Sequence, residues 1–156
     1  MQPPTLRFDS YGSVQEALRA GAGRVAVAAQ GSLEAQRAPR LAVVLFADEW
    51  APPALATAAA LEAVRSGGDV QGFAQLFLVD ASEERDHTWE AGVVTTPALT
   101  FYWDGEPVLV TRPDWEDDYK YCGAMSIDRL LEIVRHARDC CKERAEGAQL
   151  TLTLDD

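Results

Sequence analysis

No Cys-x-x-Cys pair occurs in this chain, whose three cysteines are Cys122 and the adjacent Cys140 and Cys141. An odd count with two residues side by side builds no disulfide framework. It suits free thiols in a reducing compartment, cytosol or nucleus. Histidine is scarce too: His87 and His136 lie far apart, so no Cys/His cluster of metal spacing forms. No serine sits in a nucleophile-elbow context. Positive charge is in deficit, with 14 Lys and Arg against 25 Asp and Glu, a net charge of -11. That sign opposes a general grip on a phosphate backbone, which depends on cations displacing counterions. Proteins are therefore the expected partners, and any RNA contact is expected to be local. No apolar run approaches the roughly 20 residues that span a bilayer, so no membrane association is expected. The first residues lack the basic and apolar regions of a secretory signal.

What is present is an ordinary globular balance, 47% apolar and 25% charged over 156 residues, enough for one domain with a real core. Residues 5–8 read as a short first strand and 14–18 as a short helix, with Ser13 placed to cap it. Residues 22–40, rich in Gly, Ala, Gln and Arg, read as an insertion or loop. The continuous apolar runs 41–46 and 74–79 suit strands buried on both faces of a sheet. Between them, Pro53 can open a helix over 54–64, which ends before Gly67 and Gly68. A short helix is expected at 83–91. Strands 98–103 and 107–111 flank Asp104-Gly105, the strongest hairpin signal in the chain. Ile127, Leu130, Leu131, Val134, Ala137, Cys140 and Cys141 share one face of a final helix, 126–141. On that helix one of the paired cysteines is expected to pack as a small hydrophobe. The tail, 142–156, carries an alternating stretch at 150–154 that reads as an edge strand. The whole is a single α/β domain, a βαβ opening with right-handed crossovers followed by an antiparallel hairpin and a closing helix.

Two local motifs stand at matching places in that order. Trp50-Ala51-Pro52-Pro53-Ala54 follows the central strand at a helix start. Thr95-Thr96-Pro97 directly precedes the hairpin. Together they resemble thioredoxin, whose active site is Trp-Cys-Gly-Pro-Cys and whose cis-proline faces it. The resemblance implies a thioredoxin-like fold, a central mixed β-sheet flanked by helices, and a cis bond at Pro97. It also implies loss of the chemistry. Disulfide exchange needs a thiolate, whereas Ala51 and Ala54 stand at both cysteine positions and Leu45 at the buried acid. The chain is expected to be no enzyme and to need no cofactor or metal.

Between the hairpin and the last helix lies Asp114-Trp115-Glu116-Asp117-Asp118, followed by Tyr119, Lys120 and Tyr121. It reads either as a solvated acidic loop or as a docking surface. In the second case Trp115, Tyr119 and Tyr121 would anchor the interface and the carboxylates would select a basic groove.

Within the thioredoxin-like proteins the chain resembles the Dim/Dib family of the spliceosomal U5 small nuclear ribonucleoprotein. The segment from Phe46 to Ala54 is similar to that family's Phe-Gly-x-Asp-Trp-x-Pro. Leu76-Phe77-Leu78-Val79-Asp80 looks like its Ile-Tyr-Leu-Val-Asp, and Pro97 through Gly105 like its proline, aromatic strand and turn. The family's two cysteine positions fall on Ala54 and Ala98. The resemblance implies a nuclear, non-catalytic adaptor in pre-mRNA splicing, monomeric outside its complex. Its partners would be the large U5 scaffold protein and other tri-snRNP proteins. Trp50, Thr96, Pro97, Trp115, Tyr119 and Tyr121 are the expected protein-interaction residues. The alternative is another redox-dead thioredoxin-fold binding module, either a splicing paralogue of the thioredoxin-like 4B type or a chaperone cofactor.

Overall fold

A computed structural model describes residues 6–29 and 39–155, the side chains of 24–29 excepted. Strand β1 (Leu41–Ala47) is buried along its whole length and forms the centre of the main sheet. It pairs in parallel with β2 (Ala74–Asp80) and antiparallel with β3 (Ala98–Trp103). The connection between β1 and β2 is helix α2 (Pro52–Gly67), closed by Gly68 in the left-handed conformation. Beyond β3 lie two short strands on the same edge, β4 (Glu106–Pro107) and β6 (Tyr121–Cys122). The Asp104-Gly105 turn has positive φ at both residues, as a two-residue hairpin requires.

Alternation along these strands divides the core between the two faces of the sheet. Leu41, Val43, Leu45, Leu76, Leu78, Leu99 and Phe101 pack with α2 and the final helix α4 (Ile127–Lys142). Val44, Phe46, Val79 and Ala98 pack on the other face with Val14 of helix α1 (Tyr11–Ala29) and with Val93. Full burial of each Val, Leu or Phe among them is worth about 1.5–3 kcal/mol. Helix α3 (Arg85–Glu90) stands between β2 and β3.

Several elements differ from their sequence reading. Thr5 lies outside the described residues, and residues 6–8 form no strand. That stretch is held by one backbone bond, from the Asp9 amide to the Leu78 carbonyl at 2.7 Å, and by side chains: the Leu78 amide donates to Asp9 Oδ2 at 2.9 Å, and Arg65 binds Asp9 Oδ2 and the Arg7 carbonyl, each at 2.7 Å. Helix α1 begins before Ser13 and continues through 22–29, where a loop was expected. Ser10, not Ser13, supplies the cap-like contact, its Oγ accepting the Ser13 amide at 3.3 Å. Residues 30–38, the rest of the expected insertion, lie outside the described residues. The second hairpin strand divides at Val108, whose amide still bonds Phe101 on β3, whereas the Leu109 amide bonds Leu150. Strand β5 (Leu109–Thr111) thereby leaves the main sheet and pairs in parallel with β7 (Thr151–Thr153), inside the tail stretch expected to be a strand. On α4 the buried face is Leu130, Ile133, Val134, Ala137 and Cys141, with Ile127 exposed and Cys140 half-buried.

Candidate protein-docking site

Strand β1 delivers the chain to an exposed corner. Asp48 is half-buried, Glu49 is exposed, and Trp50 is 70% exposed, although a Trp is ordinarily drawn inside. Pro52 and Pro53 then occupy the first helical positions of α2. A helix start usually offers up to four free N–H groups to an anion. Here two of the first four residues are prolines without an N–H, and the Leu55 amide bonds the Ala51 carbonyl at 2.9 Å. Ala54 is fully buried and Ala51 half-buried against the core.

The antiparallel register sets the start of β3 beside this corner, with Phe46 opposite Ala98. The bond between Thr96 and Pro97 is cis, as expected from the sequence. Thr96 Oγ1 donates to Asp48 Oδ2 at 2.8 Å, so the two motifs meet. Pro97 itself is buried, and its carbonyl accepts the Gly123 amide at 3.1 Å.

Among solved structures, the chain superposes on chloroplastic thioredoxin z with a TM-score of 0.54, covering 86% of this chain and 96% of that one at 16% identity. The fold is thioredoxin-like. Human ERp44 superposes with a TM-score of 0.50 at 16% identity over 65% of this chain, which spans only 28% of that protein. A mutant thioredoxin from Halobacterium salinarum NRC-1 gives 0.46 at 20% identity, covering 64% of this chain and 76% of that one. No family model matches the chain, and no curated protein matches it.

In this thioredoxin-like frame none of the three thiols is on the β1–α2 turn itself, although Cys122 stands beside Ala98, next to Pro97. Cys122 is half-buried on β6, paired with Ala98. Cys140 and Cys141 sit in the last turns of α4. Burial pushes the Cys141 thiol up to about 12, with the neighbouring Cys140 adding to it. Cys140 Sγ is 3.6 Å from His136 Nε2, which also bonds the Thr153 carbonyl at 2.6 Å. His87 is engaged elsewhere, stacked on Tyr11 at 4.4 Å and bonded to Glu84 at 3.0 Å.

The acidic loop 112–121 is folded back on the domain. Val110 and Asp118 exchange both backbone hydrogen bonds, at 2.7 and 3.2 Å. The Arg112 guanidinium lies over Trp115 at 4.4 Å and over Tyr121 at 4.2 Å. Lys120 Nζ reaches the Gly92 carbonyl at 2.5 Å and Asp118 at 3.0 Å, tying the loop to the segment before Thr96. Trp115 and Tyr119 are exposed, whereas Tyr121 is only 7% exposed and serves the core. Of the six interaction residues read from the sequence, then, Trp50, Trp115 and Tyr119 are open to solvent, Thr96 is half-buried, and Pro97 and Tyr121 are buried.

Two exposed residues were not singled out from the sequence. Trp89 on α3 is 74% exposed and Val94 is 70% exposed. With Asp48, Ser82, Arg85 and Thr96 they line an open cleft of about 340 Å³ beside the corner. One signal was available: Trp89 is the only large apolar residue in Arg85-Asp86-His87-Thr88-Trp89-Glu90, and so polar a helix has no interior face large enough to hold it.

Proposed function

We propose that this chain is a non-catalytic protein-docking module, and that it serves as a spliceosomal adaptor of the Dim/Dib type. The observation that carries the first part is the β1–α2 corner. It keeps an exposed Trp50 and, tied to it through Thr96 and Asp48, a cis-Pro97, and the resemblance to thioredoxin sets Ala51 and Ala54 at that family's two cysteine positions. Without a thiolate there is nothing at the corner to form a mixed disulfide. What remains is a shaped surface. Its exposed tryptophans are the residue type that carries binding energy at interfaces, because a large rigid ring loses little conformational freedom on docking.

The second part rests on the resemblance of the segments around Phe46, Leu76 and Pro97 to the Dim/Dib family. In this reading the chain is nuclear, and it binds the large U5 scaffold protein and other tri-snRNP proteins without cofactor or metal. A net charge of -11 is consistent with an adaptor held through protein contacts and not through generic RNA. The test is a pulldown from nuclear extract with the tagged chain, from which U5 components are expected to co-purify. Failure to recover them removes the splicing role. Reduction of insulin disulfides by the purified chain, lost on replacing Cys140 and Cys141, would overturn the non-catalytic role itself.

A further inference from the structure

Seven large apolar side chains are exposed among the described residues. Six of them fall on three segments: Trp50 and Leu55 at the β1–α2 corner, Trp89 and Val94 between β2 and β3, and Trp115 and Tyr119 on the acidic loop. The corner and the middle segment meet through Thr96 and Asp48, and the middle segment meets the loop through Lys120 and Gly92. A monomer gains nothing from leaving so much apolar surface together in water, which marks the region as an interaction surface.

The charge around that surface is one-sided. Asp48 and Arg85 line the cleft itself, and the exposed Glu49, Glu83, Asp86 and Glu90, each next in the chain to a lining residue, add four carboxylates. The loop adds Asp114, Glu116, Asp117 and Asp118, against Arg112, laid over Trp115 and Tyr121, and Lys120, which Asp118 pairs. A phosphate backbone would be repelled here, and so would a second copy of this chain presenting the same face.

Resting on the docking role proposed above, we propose that the cleft beside Trp89 and Val94 seats a cationic segment of a partner protein. That segment is rich in Arg or Lys and inserts one bulky apolar side chain. The apolar side chain is the anchor, desolvated in the cleft against Trp89 and Val94. The flanking cations pair with the rim carboxylates, and a guanidinium can also lie over an exposed indole face. The rim charges raise the association rate and make it salt-dependent, whereas the anchor sets the lifetime of the complex.

The experiment uses the full chain and three labelled synthetic peptides, followed by fluorescence anisotropy. One alternates Arg with Ser around a central Phe, the second replaces that Phe by Ser, and the third replaces every Arg by Glu. The first is expected to bind, with affinity that falls as salt is raised, and the other two to bind roughly tenfold more weakly or not at all. Trp89→Ala is expected to lose roughly tenfold in affinity for the first peptide. The double change Asp86→Lys and Glu90→Lys should weaken it and flatten the salt dependence, and Ile127→Ser should change nothing. These side chains are exposed, so the variants should keep the wild-type circular dichroism spectrum. Equal binding of the first and third peptides, no binding of any, or an unchanged affinity in Trp89→Ala overturns the proposal. A pulldown with Trp89→Ala separates it from the role above. Recovery of U5 components by wild type and variant alike leaves the adaptor reading standing and removes this surface. Peptide binding as described without U5 recovery does the reverse.

Discussion

Gly21 of α1 and Gly105 of the β3–β4 turn meet at backbone distance, so that a Cβ on Gly21 would lie 2.8 Å from the Gly105 nitrogen. Helix α1 is thus docked on the hairpin through two residues without side chains. A Cβ on Gly105 would collide with the Leu18 carbonyl oxygen and come within 2.9 Å of the Ala22 nitrogen.

Three alanine substitutions test that docking. Gly21→Ala forces backbone apart and should cost about 1–3 kcal/mol. Gly105→Ala should cost at least as much, because φ of +82° already disfavours a side chain there by about 1–2 kcal/mol. Gly23→Ala, two residues along the same helix with nothing within 4 Å, should instead stabilise by about 0.5–1 kcal/mol. Urea midpoints read all three. A gain in stability from Gly21→Ala would mean that α1 does not rest on the turn.

The same contact explains why α1 was only half legible. Glycines at 21 and 23 beside a run of alanines read as a loop, because nothing local says that one of those glycines is a contact with residues more than eighty positions away. Strands β1 and β2 were legible because burial on both faces leaves a continuous apolar run, and α4 because three- and four-residue spacing marks a face. That spacing still misplaced Ile127, which is exposed, since it gives the stripe's direction but not its ends. The switch of the hairpin strand at Val108 depends on pairing with Leu150, which is equally remote. At the site, the meeting of the two segments, made through Thr96 and Asp48, followed from two motifs at recognisable places. Trp89 and Val94 carry no periodicity, and only the placement of α3 beside the corner gives them a role.

Thr57 joins α2 to the chain entering α4. It is fully buried, its hydroxyl donates to the Pro53 carbonyl at 2.9 Å and accepts the Met125 amide at 3.1 Å. Thr57→Val keeps the volume but leaves a buried amide without an acceptor, at a cost of about 1–3 kcal/mol. Thr57→Ser retains the oxygen and should recover the hydrogen-bond part of that loss. If the two substitutions prove equally costly, packing and not the hydroxyl is what matters at this position.

The three thiols should react in a fixed order. Cys141 is buried, and its thiol, pushed up to about 12, yields almost no thiolate near neutrality. Alkylation at about pH 8 should therefore label the half-buried Cys122 and Cys140 first. Cys141 should be labelled only as the domain opens, so that added urea removes the difference. Peptide mass spectrometry after timed quenching reads the order. Early labelling of Cys141 in the native chain would place the face of α4 wrongly.

Acid should loosen the junction between α1 and α3 before it unfolds the core. Glu84 accepts the Tyr11 amide at 3.2 Å and bonds His87 Nδ1 at 3.0 Å, while the His87 ring stacks on that of Tyr11. The His87 hydrogen bond first, and then the Tyr11 amide, hold the Glu84 carboxyl below its ordinary 4.5. A carboxyl lowered in the folded state contributes stability that is fully present above its unfolded value and lost as pH falls through its folded value. The stability that wild type holds over Glu84→Gln should accordingly shrink as pH falls below about 5 and vanish in stronger acid. Urea midpoints of the two proteins, measured in parallel along the pH series, give the gap directly. A gap that persists unchanged in strong acid would show that the contribution of Glu84 does not depend on its charge.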